Sequence, residues 1–434
     1  MTKTYDAIVI GGGPSGTTTA GLLAKAGHDV LILEREQFPR YHIGESLIPG
    51  LNSVIDELGV RDTIEAAGYI RKAGISLLWG AKRELWSIAF GESGPYDYTW
   101  QVKRAEFDHV LLEHARKLGA MVIEQASVRE VTTDEDGRAT GVTYTIGRGT
   151  EPIRAEARFI VDASGQSKIL GRKFGLVEMH GDLKNLAVWT YYQGGERLPD
   201  KLNGNILVEN HPDGWIWVIP FSDGTQSVGF VGPHDRIAQD TRPDLELLEQ
   251  KIATSREAKK LLRNATRVAG CRTTKDWSYT CSQFYGPGFL LVGDSAAFID
   301  PLFSTGVTLA MKGGSSAAAT VSAILKEPGR EEEFAKAYDD GMRKFLGDVL
   351  SFVRFFYDAS KDVEAYWAKA KEMIDPIGWM TARDDFIIMV SGLNAELPVM
   401  QPHEDAAPDG VAEGRNARSR NRGMEWANVD TVKQ

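Results

Sequence analysis

Ala7-Ile8-Val9-Ile10 is apolar at every position, the pattern of a strand buried on both faces rather than one with a wet side. Beyond it Ala20, Leu22, Leu23 and Ala26 recur at helical spacing, Gly27 supplies a stop, and Val30 to Leu33 make a second buried strand. Short helices are expected around 50–58 and 61–68, then a strand-rich region over 73–102. A helix follows over Arg104 to Leu118, where Phe107, Leu111, Leu112 and Ala115 share a face. Strands and turns alternate from about 120 to 161. A second β-rich block covers about 183–285, with a hairpin at its centre: strands 215–220 and 226–231 about an Asp223-Gly224 turn. Gly288 to Phe298 adds another buried strand ending in a glycine-acid turn. From Gly306 to about 393 the pattern is helical, and the aromatics of "FVRFFYD" and "AYW" read mainly as helix-packing core. From His403 the chain is polar and mixed in charge, which predicts a flexible tail over 401–434.

The first turn carries candidate chemistry. Gly11, Gly13 and Gly16, with Pro14 and Ser15 among them, form GxGxxG between a strand and a helix. Glycine lets the backbone close on a pyrophosphate, and the helix start offers free N–H groups and a positive dipole end. Glu34, 18 residues past Gly16, is at the reach of a ribose hydroxyl pair. Dinucleotide binding is the reading; a purely structural turn with a surface Glu34 is the alternative.

Composition narrows the classes. A chain of 434 residues exceeds one ordinary core, so two or three packed lobes are expected. The net charge of -10 argues against a nucleic-acid surface, which needs a basic footprint. No apolar run approaches the ~20 residues of a membrane span. Cys271 and Cys281 alone make neither a disulfide scaffold nor a metal site. "MTKTYDAIVI" runs directly into a strand without a signal-peptide pattern, so a cytoplasmic location is expected.

The type of dinucleotide is decided elsewhere. In "LLVGDSAAFIDPLFSTGV" a buried strand ends at Gly293-Asp294, placed to aim a carboxylate at a ribose while a helix start faces phosphate. A dinucleotide whose second half is held by so distant a segment resembles FAD in the glutathione-reductase-like superfamily, which includes p-hydroxybenzoate-hydroxylase-like enzymes. "VDASGQSKILGRKFG" resembles that superfamily's Asp-Gly fingerprint, with Ala163-Ser164 between Asp162 and Gly165. Arg104 matches one branch's flavin arginine; alone it would read as a solvated charge at a helix start.

Four pieces together resemble the flavin-dependent halogenases: "RYHIGESLIPG" (40–50), "RKAGISLLWG" (71–80), "GWIWVIP" (214–220) and "DPLFSTGV" (300–307). WxWxIP, here Trp215 to Pro220, is the most diagnostic. The likeness spans about 3–400 and is nearer the branch acting on pyrroles and phenols, often carrier-tethered, than the tryptophan halogenases. It implies an α/β fold: a glutathione-reductase-like FAD-binding Rossmann domain from 1–80, 102–182 and 268–325, a β-sheet substrate domain from 81–101 and 183–267, and a C-terminal helical region over 326–400. The implied FAD residues are Gly11, Gly13, Pro14, Ser15, Gly16, Glu34, Arg35, Arg40, His42, Ile43, Glu45, Ser46, Arg104, Val128, Asp162, Gly293, Asp294, Pro301, Gly306 and Val307.

The implied chemistry is specific. Reduced flavin meets O2, the resulting C4a-hydroperoxide oxidises chloride or bromide, and hypohalous acid travels to a substrate that never touches the flavin. Lys72, in Lys72-Ala73-Gly74, would hydrogen-bond the oxidant or form a chloramine; outside this motif it would read as a surface charge. The backbone of Thr305 and Gly306 would hold the halide, although an N-cap by Ser304 or Thr305 is the ordinary reading of that turn. Trp215 and Trp217 share one face of a strand and are either core or a wall, with Pro220, between substrate and flavin. FADH2 would come from a separate NAD(P)H-dependent flavin reductase, and the aromatic substrate would be free or presented by an acyl or peptidyl carrier protein. One departure stands out: tryptophan halogenases carry a glutamate where this chain has Phe303, which leaves the general base among Glu45, Asp300 and solvent. An aromatic hydroxylase, a geranylgeranyl-reductase-like flavoprotein and a flavin-binding protein without turnover are the competing readings.

Overall fold

The computed structural model describes residues 3–394, so the tail expected over 401–434 lies outside the described residues. An eight-stranded sheet is built on the parallel strands Thr4–Ile10, Val30–Leu33, Ile153–Asp162, Phe289–Leu291 and Met121–Ile123. Its register aligns Ile10 with both Leu33 and Asp162, and Asp162 with Leu291. The glycine turn after Ile10, Glu34 after Leu33 and Gly293 after Leu291 therefore emerge at one carboxyl edge, where open parallel sheets bind ligands. The hairpin of Ala126–Thr133 and Ala139–Ile146 joins through antiparallel pairing with Ile153–Asp162.

A nine-stranded sheet forms the second layer. Its order runs Ala297–Phe298, Arg272–Cys281, Val177–Gln193, Thr225–Pro233, Gly214–Pro220, Ile206–His211, Gly74–Leu78 and Leu85–Ala89, with Thr266–Arg267 beside Val177–Gln193. Gly74–Leu78 and Arg272–Cys281 thus both belong to this sheet. The reason is pairing: the parallel ladder of Ile206–His211 with Gly74–Leu78 is invisible in local pattern. The expected hairpin is present, with Val218 opposite Val228.

A two-stranded ribbon, Ile70–Lys72 with Thr99–Gln101, sets Lys72 opposite Thr99, and Ser46 bridges to Gln101. The helices Gly306–Lys326, Glu331–Phe356, Val363–Ile374 and Ala382–Val390 complete the described chain. Phe352, Phe356 and Tyr366 are buried against Trp79, Phe303 and Phe386, so these aromatics are core as their spacing suggests. Among the described residues no helix is long and apolar enough to cross a membrane.

Candidate active site

Two glycines of the turn, Gly11 and Gly16, have no room for a side chain. Gly11 has φ +107°, and a β-carbon there or on Gly16 would overlap the Ala163 or the Gly11 carbonyl oxygen. The helix Pro14–Lys25 starts at Gly13 with Pro14 in its first turn and no side chain capping it, which leaves its N–H groups to an anion. Glu34 is buried; its carboxylate accepts from the N–H groups of Gly12 at 2.6 Å and Glu36 at 2.8 Å. Each oxygen keeps a second lone pair, so ribose contact is still open to it. Around Glu34 lie exposed Arg35, bonded to Ser167 at 3.0 Å, and half-buried Val128, on the strand whose Ala126 N–H bonds the Glu34 carbonyl at 2.7 Å.

The distant pieces do converge. Gly293, at φ +64°, packs on Ser15, where a β-carbon would meet the serine side chain at 3.0 Å. Half-buried Asp294 is pushed up to about 6 by burial, with Arg104 and Lys168 pulling the other way. Asp162 turns inward instead, accepting from the Ser164 N–H at 2.9 Å and the Leu170 N–H at 2.7 Å. It shapes the turn beneath the cradle. Arg104 is buried, not solvated: it grips Asp108 at 2.7 and 2.9 Å and donates to the Ile43 carbonyl at 2.8 Å. Arg40 shares Asp108 at 3.0 Å and lies beside Gly13. His42 is exposed, with Nδ1 2.7 Å from the Ile43 carbonyl. A glycine cradle, an uncapped helix start, buried Arg104 and half-buried Arg40 fit the pyrophosphate and ribose of FAD.

Residues 40–50 continue from this cradle to Lys72. Glu45 is buried; burial pushes its carboxyl up to about 7 against the pull of Ser227, Tyr191, Arg104 and Lys103. Next to it, the Ser46 hydroxyl accepts from Lys72 Nζ at 2.8 Å, and the Leu47 carbonyl accepts at 2.7 Å. Lys72 has no exposure at all and no ion-pair partner among the described residues, and burial pushes it down to about 7. Its two hydrogen bonds leave one N–H of an ammonium, or the lone pair of an amine, uncommitted. The neighbouring glycine is also explained: a β-carbon on Gly74 would overlap the Ile88 carbonyl of the adjacent strand. Gly74→Ala is therefore expected to separate the two strands and lower Tm, and unaltered melting would contradict this.

The helix Gly306–Lys326 begins after Ser304, a left-handed residue at φ +59°. No side chain caps it, contrary to the ordinary N-cap reading. The Thr305 hydroxyl is buried without a hydrogen-bond partner among the described residues, Gly306 is exposed, Val307 is buried and Pro301 half-buried. Trp215 and Trp217 are both buried, with ring centroids 5.9 Å apart. Trp217 donates to the Ser227 hydroxyl at 3.1 Å, and its ring occupies the space where Gly229 lacks a side chain. Trp215 donates to the Tyr357 hydroxyl at 3.0 Å, which donates to buried Asp300 at 2.7 Å; Asn185 supports Asp300 at 2.8 Å. Pro220 closes the strand opposite Gln226. Asp300, with three donors including the Leu302 N–H at 3.1 Å, is engaged as a structural anchor. Tyr357 lies in the aromatic stretch read as core and Tyr41 in the 40–50 motif, while Asn185 and Tyr191 stand outside every motif of the sequence.

A tryptophan-halogenase family model matches residues 6–97 and 93–384. A tryptophan 2-halogenase of Chondromyces crocatus is 36% identical over 401 residues, covering 89% of this chain and 75% of that one. A 1H-pyrrole-2-carbonyl peptidyl-carrier-protein brominase of Pseudoalteromonas luteoviolacea is 33% identical, covering 82% of this chain and 86% of that one. The solved myxobacterial chondrochloren halogenase, described as a new variant of FAD-dependent halogenases, aligns at a TM-score of 0.80 and 33% identity over 91% of this chain and 97% of that one. With this fold, this cradle and these likenesses, the chain belongs to the tryptophan-halogenase family: it is a flavin-dependent halogenase, an oxidoreductase that works with FAD, O2 and a halide.

Proposed function

We propose that the chain halogenates an electron-rich aromatic ring, a phenol or a pyrrole, with Lys72 carrying the oxidised halogen to it. Reduced FAD, when bound, would supply the two electrons by which one atom of O2 leaves as water while the other oxidises chloride or bromide to hypohalous acid. The observation that carries the reading is Lys72 itself. A lysine with no exposure and no counter-charge costs stability, and such a side chain is retained for chemistry more readily than for folding. Ser46 and Leu47 fix its nitrogen so that one remaining site addresses the oxidant.

The other residues support this division of labour. Thr305 and Gly306 sit at an uncapped helix start suited to a halide. Gly11, Gly13, Pro14, Ser15, Gly16, Arg40 and Arg104 would hold the cofactor's phosphates, Glu34 and Asp294 its hydroxyls. Trp215 and Trp217 would bar the ring from the flavin. Phe303, packed on Phe352 and Phe356 at centroid distances of 5.4 and 4.8 Å, supplies no base. The regions proposed from sequence for FAD, substrate and the helical cover serve as working divisions of these roles. Reduced FAD would come from a separate NAD(P)H-dependent reductase in the cytoplasm.

The test is reconstitution with FAD, a flavin reductase, O2 and chloride or bromide against mixed phenols and pyrroles, read by mass. Replacement of hydrogen by halogen is expected; an added oxygen would favour the hydroxylase reading. Carrier presentation is suggested by the brominase relative's carrier-bound substrate. Faster turnover of the carrier thioester than of the free acid is expected, and equal turnover would count against tethering.

A further inference from the structure

We propose that Tyr41, Tyr191 and Glu45 form the route by which a solvent proton enters the buried compartment where halide is oxidised. The need for one follows from stoichiometry. FADH2, O2, a halide ion and one proton give FAD, hypohalous acid and water. Ring substitution then converts ArH and hypohalous acid into ArX and water, with no net proton change. One proton per turnover must therefore reach a site that excludes bulk water.

The structure offers a continuous path. Tyr41 is 40% exposed. Its hydroxyl is 2.9 Å from that of half-buried Tyr191, which donates to Glu45 Oε1 at 2.7 Å. The Trp189 indole donates to the Tyr41 hydroxyl at 2.6 Å. Tyr191 has a single hydrogen and gives it to Glu45, so in its bond with Tyr41 it accepts, and Tyr41 in turn accepts from Trp189. The chain is oriented inward. At its inner end Glu45 Oε2 is buried without a full hydrogen bond among the described residues. The Glu45 carboxyl also lies close enough to the Ser227 hydroxyl to be pulled down by it, and that hydroxyl accepts from Trp217, so the acid is near the tryptophan pair.

The transfer balances. Neutral Glu45 gives the proton on Oε2 to the compartment, and that O–H bond breaks. Tyr191 passes its hydrogen to Oε1, Tyr41 replaces it, and water replaces the hydrogen of Tyr41. Both tyrosines end as they began, and a half-turn of the carboxyl restores the acid. Burial drives both tyrosines above their ordinary acidity range, Tyr191 far above, which keeps them neutral conduits. The charged groups acting on Glu45, Arg104 and Lys103, together with the hydroxyls of Ser227 and Tyr191, pull it down; burial outweighs them. The inference rests on halide oxidation in this chain and not on the role of Lys72.

Two arms test it. In cofactor-free protein, infrared titration with labelled glutamate should show a carboxylic acid that ionises near pH 7 and is missing in Glu45→Gln. In Tyr191→Phe its midpoint should move upward, because a hydrogen bond to the carboxylate is lost. In the FAD-loaded enzyme with its reductase, Tyr191→Phe should lower kcat by about tenfold, raise the solvent isotope effect and leave flavin affinity unchanged. Absence of the near-neutral carboxylic acid, or a Tyr191→Phe enzyme with unchanged kcat and isotope effect, would overturn the relay. Failure of the halogenase reading would show separately, as unmutated enzyme yielding no halogenated product.

Discussion

Lys72→Ala is expected to abolish ring halogenation, by about a thousandfold or more, while flavin affinity stays within about twofold of the parent. The separation of the two effects follows from geometry. Lys72 stands on its own two-stranded ribbon and bonds Ser46 and Leu47, whereas the phosphate cradle is built from the Gly11 turn, Arg40 and the Arg104–Asp108 pair. Removing the amine leaves every element of that cradle in place. Product formation by mass and flavin binding by fluorescence quenching check the two halves independently. Halogenation at the parental rate would withdraw the residue's assignment.

The same lysine makes a stability prediction of opposite sign. Its native value near 7 lies below the ordinary 10.5 of an unfolded lysine. Below pH 7 both states are protonated and the cost of burying the charge is felt in full. Between about 7 and 10.5 the unfolded chain holds a proton the native one has released, so parental stability rises with pH. Lys72→Met, similar in volume, should therefore raise Tm below pH 7, with the advantage shrinking toward pH 10.5. The gain is about 2 kcal/mol once the stranded acceptors of Ser46 and Leu47 are counted. A variant more stable yet inactive marks a residue kept for chemistry. If Tm falls at every pH, the amine is a structural strut instead.

Gly16→Ala is the second large effect. The added β-carbon would overlap the Gly11 carbonyl oxygen and press on Ala163 at 3.3 Å, and both neighbours are held at the ends of their strands by N–H bonds at 2.9 Å, Gly11 to the Leu33 carbonyl and Ala163 to the Ile10 carbonyl. The turn can only open, moving the helix start of Pro14 and Ser15 away from the phosphates. Flavin affinity should fall by at least about a hundredfold, and halogenation with it. Titration with FAD reads this directly, and circular dichroism confirms that the sheet persists. Parental affinity in Gly16→Ala would place the cofactor elsewhere.

Much of this was legible in the sequence because it was local. The strand–glycine turn–helix unit, Glu34, the 215–231 hairpin and the terminal helices each follow from short-range pattern and appear at the expected positions. Lys72 stood out only through its motif; nothing in its immediate neighbours distinguishes a buried amine from a surface one. What sequence did not yield is pairing over long separation. The Gly74–Leu78 strand enters the second sheet through residues 206–209, and Tyr191 meets Glu45 across 146 positions. Arg104, which apart from its resemblance to a flavin arginine would read as a solvated helix-start charge, is buried because Asp108 lies one turn along the same helix and Ile43 arrives from afar. Such contacts depend on topology, and no period or spacing announces them.

In the proposed mechanism oxidant is made in one place and used in another, joined by the buried amine of Lys72. A single reaction can measure both ends: Lys72→Ala with FAD, flavin reductase, O2, bromide and a phenol, plus a soluble trap for hypohalous acid or peroxide. Continued O2 consumption and trapped oxidant, with the phenol left unhalogenated, is the predicted outcome. Normal halogenation of the phenol, or oxygen uptake that ceases when the amine is removed, would contradict it.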